Sequence, residues 1–316
     1  MPSQLSNNLQ NNLTKNNFNM LPPFLKQNDQ LRIISPSGSI NPEYIDGAKS
    51  VLEGWGLKVT EGRYARSEYG RFAGTPNERL DDLQQALDDP MVKAILCSRG
   101  GYGLSQIIDK IDFSGFLEHP KWLIGFSDIT ILHNAITNLG IASIHGIMTK
   151  QLTELPVESD SVDLLNKMLL GENPAYSISS HKLNKNGSSQ GILKGGNLSV
   201  LMGLRGSQYD LNYSNTILFI EDIGEKPYQI DRMIQNLRFS GVLAGISGLI
   251  VGQFNEYEED PLMMQDVSEI ILNAVRQYDY PVCFNFPAGH VDNNMPIIIG
   301  AKVTLNVTTE GTELLF

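Results

Sequence analysis

Trp122-Leu123-Ile124-Gly125-Phe126-Ser127-Asp128-Ile129-Thr130 reads as a strand that stops at a glycine, presents a serine and turns into a helix through Ile129–Leu139. A strand ending in a tight turn at a helix N-terminus pushes one side chain outward. Backbone N–H groups behind that side chain then face any oxyanion forming in front of it. The common Gly-x-Ser-x-Gly spacing is absent, because Asp128 and Ile129 follow the serine. Two readings therefore stand side by side: Ser127 as a nucleophile, or Ser127 as an N-cap accepting a backbone N–H of the first helical turn.

The same strand-to-helix grammar repeats on the N-terminal side of this junction. Leu31–Ser35 is a short β-type run, followed by Ile45, Ala48, Val51 and Leu52 at helical spacing, and then by the run Leu57–Thr60. Leu80, Leu83 and Leu87 share a helical face, Val92–Cys97 is an apolar run, and Leu104–Ile108 reads as a short helix. Strands alternating with helices predict a parallel sheet covered on both faces. Small or polar residues fill the loops after three of these strands: Pro36-Ser37-Gly38, Ser98-Arg99-Gly100-Gly101 and Gly125-Phe126-Ser127. Such loops gather at the carboxyl edge of an open parallel sheet, so the three are expected to meet.

Beyond Gln151 the periodicity weakens, and Ser177–Gln190 is rich in Ser, Asn, Lys and Gly. We therefore divide the chain into a disordered Asn-rich tail (1–21), an N-terminal α/β domain (22–155), a linker (156–190) and a C-terminal domain (191–316). That last domain mixes the run Ile217–Ile220, a helix carrying Ile230, Met233, Ile234 and Leu237, the run Leu249–Val251, a helix carrying Val267, Ile270, Ile271 and Ala274, and a strand Pro281–Asn285. Ile297–Phe316 alternates as a hairpin with its turn at Glu310-Gly311.

Length and composition narrow the function classes. A chain of 316 residues supports two cores. The formal net charge of −11 argues against nucleic acid or an anionic membrane as the main partner, and leaves an anionic substrate dependent on local positive charge. No apolar run approaches the ~20 residues of a spanning helix, and the N-terminus lacks the basic and apolar regions of a signal peptide. With only Cys97 and Cys283, both in apolar segments, a reducing, cytoplasmic compartment is expected. Metal-ligand spacings such as His-Glu-x-x-His or paired Cys-x-x-Cys are missing, so no metal is expected.

Among five histidines, His290 has the most suggestive setting, in the turn-rich stretch Pro287-Ala288-Gly289-His290 ahead of Asp292-Asn293-Asn294. His119, His133, His145 and His181 read as structural or solvated. Glu221 and Asp222 end the run Ile217–Ile220, with Glu225 shortly after. A buried acid there needs a partner, and a histidine is a natural one. The alternative is an acidic cluster favouring the N-terminus of the next helix. Arg99-Gly100-Gly101-Tyr102-Gly103 matches neither a phosphate loop nor a dinucleotide fingerprint. Its glycines let backbone N–H groups approach a ligand, and Arg99 can fork a carboxylate. The alternative is a tight helix-entry turn with Arg99 in a surface ion pair.

Taken together, Arg99–Gly103, Gly125–Thr130, Phe219-Ile220-Glu221-Asp222 with Asp231-Arg232, and Gly289-His290 with Asn294 and Gly300 resemble the LD-carboxypeptidase family, from about Pro22 to about Lys302. The resemblance implies a flavodoxin-like parallel-sheet N-terminal domain, a smaller β-rich α/β C-terminal domain, a homodimer and no cofactor. It further implies a serine peptidase with Ser127 as nucleophile, His290 as general base and acid, and Glu221 orienting the imidazole, Glu225 being the competing carboxylate. Gly101 and Asp128 would supply the oxyanion hole, and Arg99, Gly100 and Tyr102 would contact substrate. The implied substrate is a murein tetrapeptide, cut at an L–D bond to release terminal D-alanine during wall recycling. The related microcin C immunity peptidases offer a second substrate class, although they usually carry an aromatic residue where Arg99 stands. Two further readings stay open: an amidotransferase-like hydrolase using Cys97, and a non-catalytic peptide binder.

Overall fold

The computed structural model describes residues 20–316. Of the tail expected over 1–21, residues 1–19 lie outside the described residues. Met20 already belongs to the fold, since it forms a parallel bridge with Ile141.

The first sheet contains β1 (Gln30–Ile34), β2 (Lys58–Glu61), β3 (Val92–Cys97), β4 (Trp122–Gly125) and β5 (Ser143–His145), all parallel, in the order β2-β1-β3-β4-β5. This is the flavodoxin-like order, with its switch point between β1 and β3. Strands sandwiched between helix layers are buried on both faces, so they read as continuous apolar runs. Alternation along each strand still sorts the side chains. Leu96 and Ile124 pack with Ile45, Ala48 and Leu52 of helix Pro42–Gly54. Ile95 and Leu123 pack on the opposite face with Leu83, Ala86 and Leu87 of helix Pro76–Asp88. That second helix starts on a Thr75–Glu78 capping box with Pro76 behind it. Its carboxyl end is closed by the buried Lys121, whose Nζ donates to the carbonyls of Ala86, Leu87 and Asp89.

The second sheet is built from β6 (Ala175–Ser179), β7 (Gly187–Asn197), β8 (Thr216–Ile223), β9 (Gly248–Asn255) and β10 (Val282–Cys283), together with later strands. Strands β7 to β10 run parallel, and helix Pro227–Phe239 and helix Val267–Val275 bury Ile230, Ile234, Leu237, Ile271 and Ala274 against them. The chain then crosses back. Strand β11 (Ile297–Ile299) pairs antiparallel with β5 at the edge of the first sheet, and β12 (Lys302–Val307) and β13 (Gly311–Leu315) return to the second.

Several expectations are corrected here. The segment 156–190 holds a helix, Asp160–Leu169, that buries Val162, Leu165, Met168 and Leu169 in the first core. It also holds β6 and the start of β7. The polar composition of these segments reflects side chains that alternate towards solvent, β6 being the edge strand of the second sheet. Ile297–Ile299 is not part of the terminal hairpin, because its apolar residues are buried in the junction between the sheets. Leu104–Ile108 forms two 3₁₀ turns, Leu104–Gln106 and Ile108–Lys110. The strand expected over Pro281–Asn285 is limited to Val282–Cys283. Among the described residues no helix is long and apolar enough to cross a membrane.

Candidate active site

The junction after β4 is strained at the serine. Ser127 has φ 66°, in the left-handed region that L-residues avoid, and opens a 3₁₀ turn, Ser127–Ile129, ahead of helix Thr130–Asn138. Ser127 is therefore not the N-cap: Phe126 precedes the turn, Ile129 precedes the helix, and neither position makes a side-chain cap. Gly125 has no room for a side chain, since a Cβ there would lie 2.9 Å from Ile129 Cγ1. Its carbonyl is held by the buried His133, with Nε2 2.8 Å from Gly125 O and Nδ1 2.7 Å from Ser143 Oγ. Burial pushes His133 down to about 3, so the ring is neutral, donating from Nε2 and accepting the serine hydroxyl at Nδ1.

Two buried charged residues tie the three loops together. The Asp128 carboxylate accepts from Ser37 Oγ at 2.6 Å and from the Leu104 N–H at 3.0 Å, which links the loops after β1, β3 and β4. Burial raises the pKa of this acid, and those two hydrogen bonds and the Arg79 charge counter the shift. Arg79 donates to the carbonyls of Pro36 and Gly103 and to Gln106 Oε1, with its guanidinium 5.1 Å from the Phe72 ring centroid. Gly100 presses on the serine: an added Cβ would meet Ser127 Cβ at 2.7 Å. Gly101 follows with φ 99°. Among the described residues, neither the Gly101 nor the Asp128 backbone N–H donates to another protein group. Arg99 and Tyr102 are exposed beside them, with Arg99 Nη1 donating to Ser39 O.

The opposing wall comes from the C-terminal half. Glu221 near the end of β8 is fully buried, and its Oε2 lies 2.6 Å from His290 Nδ1. Burial alone would raise the Glu221 pKa. The His290 charge and the contacts with His145 and His290 outweigh it and hold the carboxyl well below its ordinary range. Burial works to lower His290, but Glu221 prevails and raises it. The loop bearing His290 packs tightly on this acid, since a Cβ on Gly289 would meet Glu221 Cβ at 3.0 Å, and its φ of 132° suits glycine. Asn294 accepts from the Gly289 N–H, and Asn255 donates to the His290 carbonyl. Across the junction the His290 ring meets Phe126 edge to face, centroids 4.9 Å apart.

Ser127, His290, Phe126, Arg99, Gly100 and Gly101 line one open cleft of about 530 Å³ between the two halves. Glu225 takes no part in the acid–imidazole pair; it lies in the turn before helix Pro227–Phe239. Cys97 sits at the end of β3 with no exposed surface, and burial pushes its thiol pKa far up, opposite to what a nucleophilic thiolate needs. Sequence reading missed Arg79 and the side chain of Asp128, whose partners come from loops distant in the chain. It also missed His145, 3.9 Å from Glu221 Oε1, although its place at the end of an apolar run was visible.

Comparison with known proteins agrees across the chain. Residues 31–146 match the LD-carboxypeptidase N-terminal domain, and residues 190–305 match the LD-carboxypeptidase C-terminal domain. A probable murein peptide carboxypeptidase of Bacillus subtilis is 35% identical over 307 residues, covering 94% of this chain and 95% of the relative. The murein tetrapeptide carboxypeptidase of Pseudomonas aeruginosa is 29% identical, covering 90% and 94%. Among solved structures, muramoyltetrapeptide carboxypeptidase from Oxalobacter formigenes superposes with a TM-score of 0.83 at 26% identity, covering 90% of this chain and 97% of that one. The microcin C7 self immunity protein MccF shares the fold, with a TM-score of 0.84 at 19% identity and coverage of 94% and 98%. The chain belongs to the LD-carboxypeptidase family, whose two domains it carries in order.

Proposed function

We propose that the chain is a serine LD-carboxypeptidase that hydrolyses the L–D bond of a murein tetrapeptide and releases its terminal D-alanine. The observation that carries this is the 2.6 Å Glu221–His290 pair facing, in one cleft, a serine on a left-handed turn. Ser127 Oγ attacks the scissile carbonyl while His290 Nε2 takes its proton, Nδ1 being engaged by Glu221. The tetrahedral oxyanion faces the N–H groups of Gly101 and Asp128, each such donor contributing ~3 kcal/mol. His290 then protonates the leaving amine, and water, deprotonated by the same imidazole, releases the acyl group from Ser127. Arg99, with Gly100 and Tyr102, meets the substrate, and its guanidinium holds a carboxylate; it supplies the local positive charge that an acidic chain needs for an anionic peptide.

The murein substrate is supported by the names of the relatives and by Arg99 at the position where microcin-type peptidases usually carry an aromatic. On this reading the enzyme works without a cofactor, as a homodimer, on cytoplasmic muropeptides during wall recycling. Incubation with murein tetrapeptide and its all-L analogue, followed by mass spectrometry, tests it. Release of D-alanine by the wild type and a loss of ~10³-fold or more in kcat in Ser127→Ala are expected. Cleavage of the all-L peptide alone overturns the substrate, and full activity in Ser127→Ala overturns the nucleophile.

A further inference from the structure

His145 is completely buried and has no step in the reaction just described. It ends β5, where its register partner on β4 is Gly125, the residue that opens the serine turn. On its other side it is paired with Ile297 of β11, which the C-terminal half contributes. Its Nε2 lies 3.9 Å from Glu221 Oε1, the carboxylate oxygen that His290 does not use. The ring is held by Phe219 edge to face at 5.0 Å and by Phe126 at 5.8 Å between centroids.

Among the described residues, Glu221 Oε1 and both nitrogens of His145 have no hydrogen-bond partner. A buried carboxylate oxygen left without a donor is costly, so the nearest group that carries an N–H is under pressure to supply one. A neutral imidazole has one N–H to give, and a closer approach of about 1 Å turns the present contact into a hydrogen bond. The other charged or titratable groups around the pair do not compete for Oε1. His290 bonds Oε2, and His133 is committed to Gly125 and Ser143. Asp222 is bonded to Asn197 and Ser199, and Glu256 acts on His290 through its charge.

We propose that His145 is a positioning residue, donating from Nε2 to Glu221 Oε1 and thereby registering the acid of one half against the serine turn of the other. The proposal rests on the Ser127–His290–Glu221 reading. It ties the two halves at one point, because the strand holding His145 is bonded directly to the strand that presents Ser127.

The test compares kcat and KM on murein tetrapeptide for wild type, His145→Phe and His145→Gln, with Ser127→Ala and Glu221→Gln in parallel. Phenylalanine keeps the ring and removes the donor, whereas the glutamine amide can reach as Nε2 does. His145→Phe is expected to lower kcat about tenfold or more with KM nearly unchanged, and His145→Gln to recover most of the loss. A packing role gives the reverse order. His145→Phe at wild-type kcat, beside inactive Ser127→Ala and Glu221→Gln, overturns the proposal alone. Full activity in Ser127→Ala overturns the underlying reading. Should His145→Phe fail to fold, ¹⁵N-histidine NMR of the wild type decides: a proton on His145 Nε2 at neutral pH is expected, and its absence refutes the donation.

Discussion

Ser37 and Asp128 stand in loops after different strands of the first sheet, yet the serine hydroxyl donates to the Asp128 carboxylate at 2.6 Å. With Leu104 N–H on the same oxygen, one buried acid spans three loops. Replacing it with alanine strands both donors and removes the charge facing Arg79. We expect Asp128→Ala to lose about 2–4 kcal/mol in denaturant unfolding and to reduce kcat, and Asp128→Asn, which keeps one acceptor, to lose less. Unchanged stability and kcat in Asp128→Ala would show that the loops are set by other contacts.

Gly100 has no space for a side chain beside the nucleophile. In Gly100→Ala the new methyl group must displace Ser127, whose Cβ and Oγ it would meet at 2.7 and 3.0 Å. Activity should fall at least ~10-fold, since misplacement by about 1 Å at a reacting group costs on the order of 10²-fold. The melting temperature should fall as well, because the new methyl group also meets the Phe126 carbonyl oxygen at 3.1 Å, and Ser127 Cβ can yield only with its backbone.

The acid–imidazole pair predicts the pH dependence. His290 is raised above an ordinary histidine, so the proton must leave it before it acts as base, and kcat/KM should rise with pH through a limb above ~6.5. For stability the sign is opposite for the two partners. The raised His290 contributes below its unfolded pKa and loses its contribution as pH climbs through the folded value. The lowered Glu221 contributes above its ordinary 4.5 and loses its contribution as pH falls below that. Glu221→Gln should move the activity limb to lower pH and cut kcat by ~10³-fold or more. A pH profile of that variant matching the wild type would contradict the pairing.

Cys97 lies under the serine turn, with its Cβ 3.2 Å from where a Gly125 Cβ would stand. Its burial predicts that iodoacetamide leaves native activity intact and that Cys97→Ala retains kcat. Thiol-dependent loss of activity would revive a cysteine mechanism.

What the amino-acid order determines by itself is local. Val92–Cys97 and Trp122–Gly125 read as strands because parallel strands between two helix layers are apolar on both faces. Thr75, Pro76 and Glu78 start a helix through contacts within one turn, and Gly125 marks a place where backbone must pass close to its surroundings. Motif order across the whole chain was enough for the family. Pairing was beyond that reach. Ile297–Ile299 fits a terminal hairpin as well as it fits the edge of the first sheet, since alternation says that a strand exists and not which strand it joins. The reach of Asp128 to Ser37 and the placing of His145 opposite Gly125 were decided only when the strands of the first sheet paired, and the 2.6 Å approach of Glu221 to His290 beside the serine turn only when the two sheets packed. Hydrogen bonds and burial couple residues by distance in space, and distance along the chain carries no record of it.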